Sequence, residues 1–311
     1  MGIVVIGATF VDIKGFPLDT YLPTGRNAGR IEYIHGGVAR NVCEDIANLE
    51  LRPTYVGIVD DSPLGADVVR KLRNHKVNVD HVLVRPDGMG TWLAVFNEDG
   101  DVAGSISKRP NMLPLAGLLE EKGDEIFRDA DSVVIEADLD KEIIKKTLEL
   151  AQRHRVPAFA MVSNMSIAME RRDFLQHFDC FICNRQEAGL LFYEDYEACS
   201  PEQLRDALRE KVLRARIPSM VVTMGAQGAV YASLGGESGI CPAKKVRVRD
   251  TTGAGDAFCA GVSAGLTYGK DLQEAIEIGS LLAASVITSS ENVCPRFHPA
   301  ELGLPVRKTD S

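Results

Sequence analysis

The 311-residue sequence has no excess of positive charge: 35 Lys and Arg stand against 44 Asp and Glu, a formal net charge of −9. Holding a nucleic-acid backbone needs a positive field, so the composition argues against a nucleic-acid partner, and a membrane-surface role is disfavoured on the same ground. No apolar run approaches the roughly 18 residues that a membrane-crossing helix requires. Cysteine is not used as a staple. Its seven copies are an odd number scattered from Cys43 to Cys294, which is no disulfide framework. The one close pair lies in Cys180-Phe181-Ile182-Cys183 and reads as an apolar strand. No second pair completes a four-ligand zinc site. The start, Met1-Gly2-Ile3-Val4-Val5-Ile6-Gly7, lacks a basic leader and reads as a first strand, so a cytoplasmic location is expected.

Several site signatures are missing as well. Gly269-Lys270 is followed by Asp271, so there is no G-x-x-x-x-G-K-[ST] phosphate loop. The first strand runs into Gly7-Ala8-Thr9-Phe10, without the G-x-G-x-x-G of dinucleotide folds. Neither H-E-x-x-H nor G-x-S-x-G occurs, and the six histidines are scattered.

What is there is an alternation. Val- and Ile-rich runs recur at Ile3 to Ile6, Thr54 to Val59, Ser132 to Ile135, Ala158 to Val162, Phe178 to Cys183 and Met220 to Met224. They are apolar on nearly every residue, as strands buried on both faces are. Helical stretches at 64–75, 141–154 and 201–216 lie between them. This order predicts an α/β fold, a doubly wound, mostly parallel sheet flanked by helices, with ligands beyond the C-terminal strand ends. Two regions break the pattern. Residues 13–35 are rich in Pro and Gly, then alternate over Ile31 to Ile34; residues 89–107 hold a hairpin turning at Asp99-Gly100. Without covering helices they predict a small β-sheet lid on a single domain spanning 1–311.

The sharpest local signal is Asp250-Thr251-Thr252-Gly253-Ala254-Gly255-Asp256, after a strand-like Lys245 to Val248 and before a helix with a buried face. Gly253 and Gly255 fall in its first turn, where unpartnered N–H groups and the helix dipole favour an anion. Asp256 beside an anion makes sense if it takes a proton from a hydroxyl attacking a phosphoryl group; an ordinary Gly-rich turn with a first-turn acid would read the same. Gly36-Gly37 precedes a second helix carrying Asn41, an amide suited to a sugar hydroxyl. Asp12, just past the first strand, suits a diol or a solvated loop. Asn184 and Glu187 fit a helix cap as well as a site. Thr223, Gly225 and Gly228 fit a hairpin turn as well as a ligand path.

Together these residues resemble the ribokinase, or PfkB-type, carbohydrate kinases over essentially the whole chain. The D-T-x-G-A-G-D signature, the Gly-Gly pair followed by Asn, the N-x-x-E pair and the T-x-G-x-x-G strand end occur in the family's order. The resemblance implies a ribokinase-like fold and ATP-dependent phosphorylation of a primary hydroxyl on a sugar or nucleoside. It makes Asp256 the base and the N–H groups of Gly253, Ala254 and Gly255 the anion hole. Asn184 and Glu187 would organise phosphates and Mg²⁺, Glu187 through water. Thr223, Gly225 and Gly228 would line the nucleotide path, and Asp250 with the Thr252 carbonyl would hold K⁺. Asp12, Gly36, Gly37 and Asn41 would hold the sugar, with Asp138 a further substrate contact. Val11-Asp12-Ile13-Lys14-Gly15 and Gly36-Gly37-Val38-Ala39-Arg40-Asn41 look most like the pseudouridine kinases of the family. Met161-Val162-Ser163-Asn164 departs from the family's usual Asp-Pro at that strand end. A ribose or other sugar kinase, and a non-catalytic sugar-binding relative, are the alternatives. A homodimer through the lid is expected by analogy.

Overall fold

The computed structural model describes residues 2–306. The apolar runs pair as an eight-stranded sheet. Its members are β1 (Gly2–Ile6), β4 (Thr54–Val56), β9 (Ala130–Glu136), β10 (Ala158–Met161), β11 (Cys180–Asn184), β12 (Ser219–Thr223), β13 (Ala229–Ser233) and β14 (Ser238–Cys241), in the order β14-β13-β12-β11-β10-β9-β1-β4. The six strands from β12 to β4 are parallel, and β13 and β14 close one edge antiparallel. Parallel strands need helices on both faces. Here α1 (Val38–Asn48), α2 (Pro63–Asn74), α3 (Pro114–Phe127), α4 (Lys141–His154), the short α5 (Met165–Ala168), α6 (Arg185–Phe192), α7 (Pro201–Ala215), α8 (Ala254–Thr267) and α9 (Leu272–Ile287) supply them. Two separate apolar cores result, one on each side of the sheet, split by the alternation of β1: Ile3 and Val5 on one face, Val4 and Ile6 on the other.

The second sheet has the order β3-β2-β7-β8, from β2 (Thr9–Pro17), β3 (Gly29–Gly36), β7 (Met89–Phe96) and β8 (Val102–Lys108). It is the expected lid, but it begins earlier than residue 13. Asp12 therefore sits inside a lid strand, held between Ile34 and Trp92, and not in a loop.

Two expected strands differ. The run Thr54 to Val59 divides at Gly57, and β5 (Ile58–Val59) leaves the main sheet to pair with β6 (Leu83–Val84). The stretch Lys245 to Val248 forms no strand. Its alternation of Val with Lys and Arg imitates one, but the sheet already ends at β14, and Val246 and Val248 stay exposed. All seven cysteines are free, and Cys180 and Cys183 lie buried in β11 as an apolar strand would have them. Among the described residues no helix is long and apolar enough to cross a membrane.

Helices α8 and α9 pack so closely that a Cβ on Gly261 would stand 2.6 Å from the Gly279 Cα. In Gly261→Ala, the gain in helix propensity of about 1 kcal/mol opposes an overpacking cost of about 1–3 kcal/mol. Backbone cannot move aside as a side-chain tip can, so a net loss of stability is expected in urea unfolding. An unchanged or raised midpoint would mean that the crossing relaxes freely.

Candidate active site

The site forms where two helix N-termini, far apart in sequence, converge. Gly253 caps α8 with φ +80°, a left-handed conformation natural to glycine, and a Cβ there would lie 2.0 Å from the Asn292 carbonyl. Gly37 caps α1 with φ +98°, and its Cβ would strike the Ala8 carbonyl at 2.5 Å. Each glycine lets its helix start tightly against a neighbouring backbone. The convergence brings Asn41, in the first turn of α1, to Asp256, in the first turn of α8. Asn41 Nδ2 donates to Asp256 Oδ2 at 2.6 Å.

Burial pushes the Asp256 carboxyl up from its usual 3.8 to about 6, with the charges of Asp12 and Glu187 acting the same way; the Asn41 amide and the Arg40 guanidinium oppose them. A carboxylate poised there can accept a proton near neutral pH. Asp12 is raised too, by burial, against Lys14 and Arg40. A Cβ on Gly36 would lie 2.9 Å from both Asp12 carboxylate oxygens, so Gly36 leaves the room in which that carboxylate sits.

The anion turn is partly engaged. The Ala254 N–H donates to the Thr251 carbonyl at 3.2 Å, so of the three expected amides it is the one already spoken for. Nothing lies within 4 Å of a Cβ built on Gly255, which leaves open space over the first turn for an incoming group. Asp250 braces the turn from behind by accepting the Thr252 N–H at 2.9 Å. A cavity of about 350 Å³ opens beside it, lined by Lys14, His35, Lys71, Asp250, Thr252 and Asn292 among others.

At the end of β11, Asn184 and Glu187 form a reciprocal capping box on α6: Asn184 Oδ1 accepts the Glu187 N–H at 2.9 Å, and Glu187 Oε2 accepts the Asn184 N–H at 2.7 Å. The cap leaves Glu187 Oε1 free of that duty. Burial, and then the Asp138 charge, raise this carboxyl, a strain that a hydrated cation would relieve. Among the described residues no three His, Cys, Asp or Glu side chains cluster as a metal cage, so a divalent ion here would depend on ligands arriving with it. Thr223 pairs with Asn184 across the sheet. Gly225 has φ +56° and open space, whereas Gly228 is required by the hairpin itself, since its Cβ would meet the Cys241 carbonyl at 2.0 Å.

Asp138 is not brought to the Asp12–Asn41–Asp256 group by any hydrogen bond. It accepts from Ser163 N at 3.0 Å, Ser163 Oγ at 2.7 Å and Arg109 at 3.0 Å, and so braces the segment where the sequence departs from Asp-Pro. Three neighbours of the site escaped the sequence reading. Glu136, 1% exposed, accepts the N–H groups of Ala39 at 2.9 Å and Ala8 at 3.3 Å and ties β9 to the start of α1. Burial, then the Asp138 charge, raise it. Its place at the C-terminal end of a parallel strand was the available signal. Asn292 donates to the His35 carbonyl and to Asn41 Oδ1. Trp92 lies beside Asp12 on the same face of the lid; no local pattern marked either.

The pfkB family carbohydrate kinase pattern matches residues 2–294. A guanosine-inosine kinase from Exiguobacterium acetylicum is 36% identical over 292 residues, covering 93% of this chain and 95% of that protein. A pseudouridine kinase from Escherichia coli K12 is 24% identical, covering 88% of this chain and 86% of its own length. The structure of Arabidopsis thaliana ribokinase complexed with ribose and ATP shares the fold, with a TM-score of 0.82 at 21% identity over 97% of this chain and 98% of that one. The chain belongs to the pfkB family of carbohydrate kinases and is a phosphotransferase acting on an alcohol group.

The raised Asp256 carboxyl has a stability consequence. Its folded-state value lies above 3.8, so the folded protein binds this proton more tightly than the unfolded chain does. The cost of holding the carboxylate is absent below about pH 4 and complete above about pH 6. Asp256→Asn should therefore stabilise the protein by about 1–3 kcal/mol at pH 7.5 and hardly at all at pH 4. Urea unfolding at the two pH values measures this; an equal change at both would contradict the assigned burial.

Proposed function

We propose that this pfkB-family kinase transfers the γ-phosphoryl group of ATP to the 5′-hydroxyl of a nucleoside, with guanosine or inosine as the leading acceptors. The observation that carries the nucleoside reading is the face of the lid around Asp12. Phe10, Asp12, Phe16 and Trp92 share it by register, and Phe96 joins them through its ring contacts. Phe16 stacks on Phe96 at 4.7 Å, and Trp92 meets Phe96 edge-on at 6.5 Å. A carboxylate able to grip a ribose diol thus adjoins an aromatic surface able to hold a base. Free ribose would leave that surface unused. The 36% identity to a guanosine-inosine kinase supports a purine base. The Gly36-Gly37-Val38-Ala39-Arg40-Asn41 motif supports pseudouridine as the second reading.

In this reading Asp12, Gly36, Gly37 and Asn41 hold the ribosyl group. Asp256 takes the proton of the 5′-hydroxyl as its oxygen attacks the γ-phosphorus. The bond from that phosphorus to the bridging oxygen breaks, and ADP leaves. The N–H groups of Gly253 and Gly255 receive the charge of the transferring group, joined by Ala254 when it releases Thr251. Thr223, Gly225 and Gly228 flank the nucleotide. Asn184 and Glu187 would organise the phosphates and Mg²⁺, Glu187 through water, and Asp250 with the Thr252 carbonyl would hold K⁺. Mg²⁺ neutralises phosphate charge when bound. On the lid's opposite face Tyr33, Ile13, Leu93 and Ile106 form an apolar row across four strands, which supports a homodimer through the lid.

ATP consumption with inosine, guanosine, pseudouridine and ribose tests the reading. A nucleoside should exceed ribose in kcat/KM, and chelation of Mg²⁺ should stop turnover. Asp256→Asn should lower kcat by about 10²- to 10⁴-fold. Trp92→Ala should raise KM for nucleosides by about tenfold, at roughly 1–1.5 kcal/mol for a lost stacking contact, and leave ribose unaffected. Ribose as the best acceptor, or loss of both acceptors alike in Trp92→Ala, would overturn the nucleoside assignment.

A further inference from the structure

Arg40 belongs to the motif but has no part in the chemistry above. Its side chain is 1% exposed, and it pairs with Glu44, itself fully buried, one turn along α1. Such a pair is tolerated only where the remaining donors are also satisfied. They are satisfied on the substrate side. Nε reaches the Gly36 carbonyl at 3.4 Å, and Nη2 donates to the His35 carbonyl and to Asn41 Oδ1. Asn292 reaches the same two acceptors from the far loop, at 2.9 Å to the His35 carbonyl and 3.4 Å to Asn41 Oδ1. Two donors therefore claim one face of the Asn41 amide, and only its NH₂ is left for Asp256 at 2.6 Å. A flipped amide would set oxygen against carboxylate and NH₂ against guanidinium.

We propose that Arg40 is a positioning residue: its buried fork holds the carbonyls at the root of the lid and fixes the Asn41 amide with NH₂ toward Asp256. Its catalytic meaning rests on Asp256 being the base, whereas the orientation does not. Arginine suits the task because one planar group serves four acceptors; a lysine ammonium can answer Glu44 but cannot also span Asn41 and the two carbonyls. The charged groups facing Asp256 are Asp12 from β2, Arg40 and Asp45 from α1, and Glu187 from α6. Of these only Arg40, together with the Asn41 amide, favours the ionised carboxyl.

The test is a ¹³C NMR titration of the Asp256 carboxyl in the free full-length protein, which needs no substrate. Arg40→Lys keeps a positive charge beside Glu44, so a change reports amide orientation more than lost charge. Its midpoint should rise by about one pH unit, the scale of one lost hydrogen bond to a carboxylate. Asn292→Ala should shift it the same way by less, and it carries the test alone if Arg40→Lys does not fold. In an Asn41→Ala background, Arg40→Lys should add little, because the two act as one unit. With ATP and inosine, kcat/KM should fall about 10- to 100-fold in Arg40→Lys, and the acid limb should move to higher pH. An unmoved midpoint in both single variants, or a full rise in the Asn41→Ala background, would overturn the proposal. Undiminished turnover by Asp256→Asn would sink the base assignment instead, while the midpoints would still decide the orientation of the Asn41 amide.

Discussion

The hydrogen bond from Asn41 to Asp256 joins residues 215 apart in sequence, and much of the site is the set of conditions that allow it. Both side chains stand in the first turn of a helix, so the positive ends of two helix dipoles point at one place. Each helix begins on a left-handed glycine that presses on other backbone, Gly37 on Ala8 and Gly253 on Asn292. Those contacts bring in the end of β1 and the loop after α9. A Cβ at either glycine would push its helix back and open the bond. The glycines are thus explained by packing within the chain, before any ligand is considered.

The interior of α1 carries the cost. Arg40, Asn41, Glu44, Asp45 and Asn48 are all buried, on a helix that the pattern of Val38, Val42, Ile46 and Leu49 reads as amphipathic. Asp45 accepts the Cys294 N–H at 2.6 Å, and Asn48 Nδ2 donates to the Cys294 carbonyl at 2.7 Å, so this polar side of the helix ties down the chain after α9. Burial raises Asp45 well above the usual carboxylate range. Asp12, Glu136, Glu187 and Asp256 are raised as well. A region so rich in carboxyl groups is a poor host for a polyanion unless cations come with it. In the proposed reading, a divalent ion accompanying the phosphates would supply that balance.

Most of the main sheet was legible because parallel strands are buried on both faces and read as unbroken apolar runs; the helix expected over 141–154 coincides with α4. What misled was periodicity without a partner. Lys245 to Val248 alternates like a strand, but no sheet edge receives it. Among site residues, those in glycine turns were legible because φ > 0 and close approach leave a mark in the sequence. Asn292 and Trp92 left none, and Glu136 left only its place at a strand's C-terminal end. Glu136 ends a strand like any polar residue, Asn292 sits in an irregular loop, and Trp92 acquires meaning only when β7 is laid beside β2. Asn184 and Glu187 were legible as a cap, and the cap is what the structure forms, with Glu187 Oε1 left outside it.

The lid depends on keeping its register, because its two faces carry different side chains. Asp12, Trp92 and the stacked Phe16 and Phe96 occupy one face, and Tyr33, Ile13, Leu93 and Ile106 the other. A slip of one residue in β2 would carry Ile13 to the Asp12 face and turn Asp12 to the other. Two glycines oppose that slip. Gly36 leaves the space filled by the Asp12 carboxylate, and Gly90 leaves the space filled by the Phe10 ring, where a Cβ would lie 2.4 Å from the ring carbons. Both holes open on the Asp12 face, one on each neighbour of β2. The strand that carries Asp12 is therefore keyed from both sides. A four-stranded sheet with little helix cover can then hold Asp12 in place over a site assembled elsewhere in the chain.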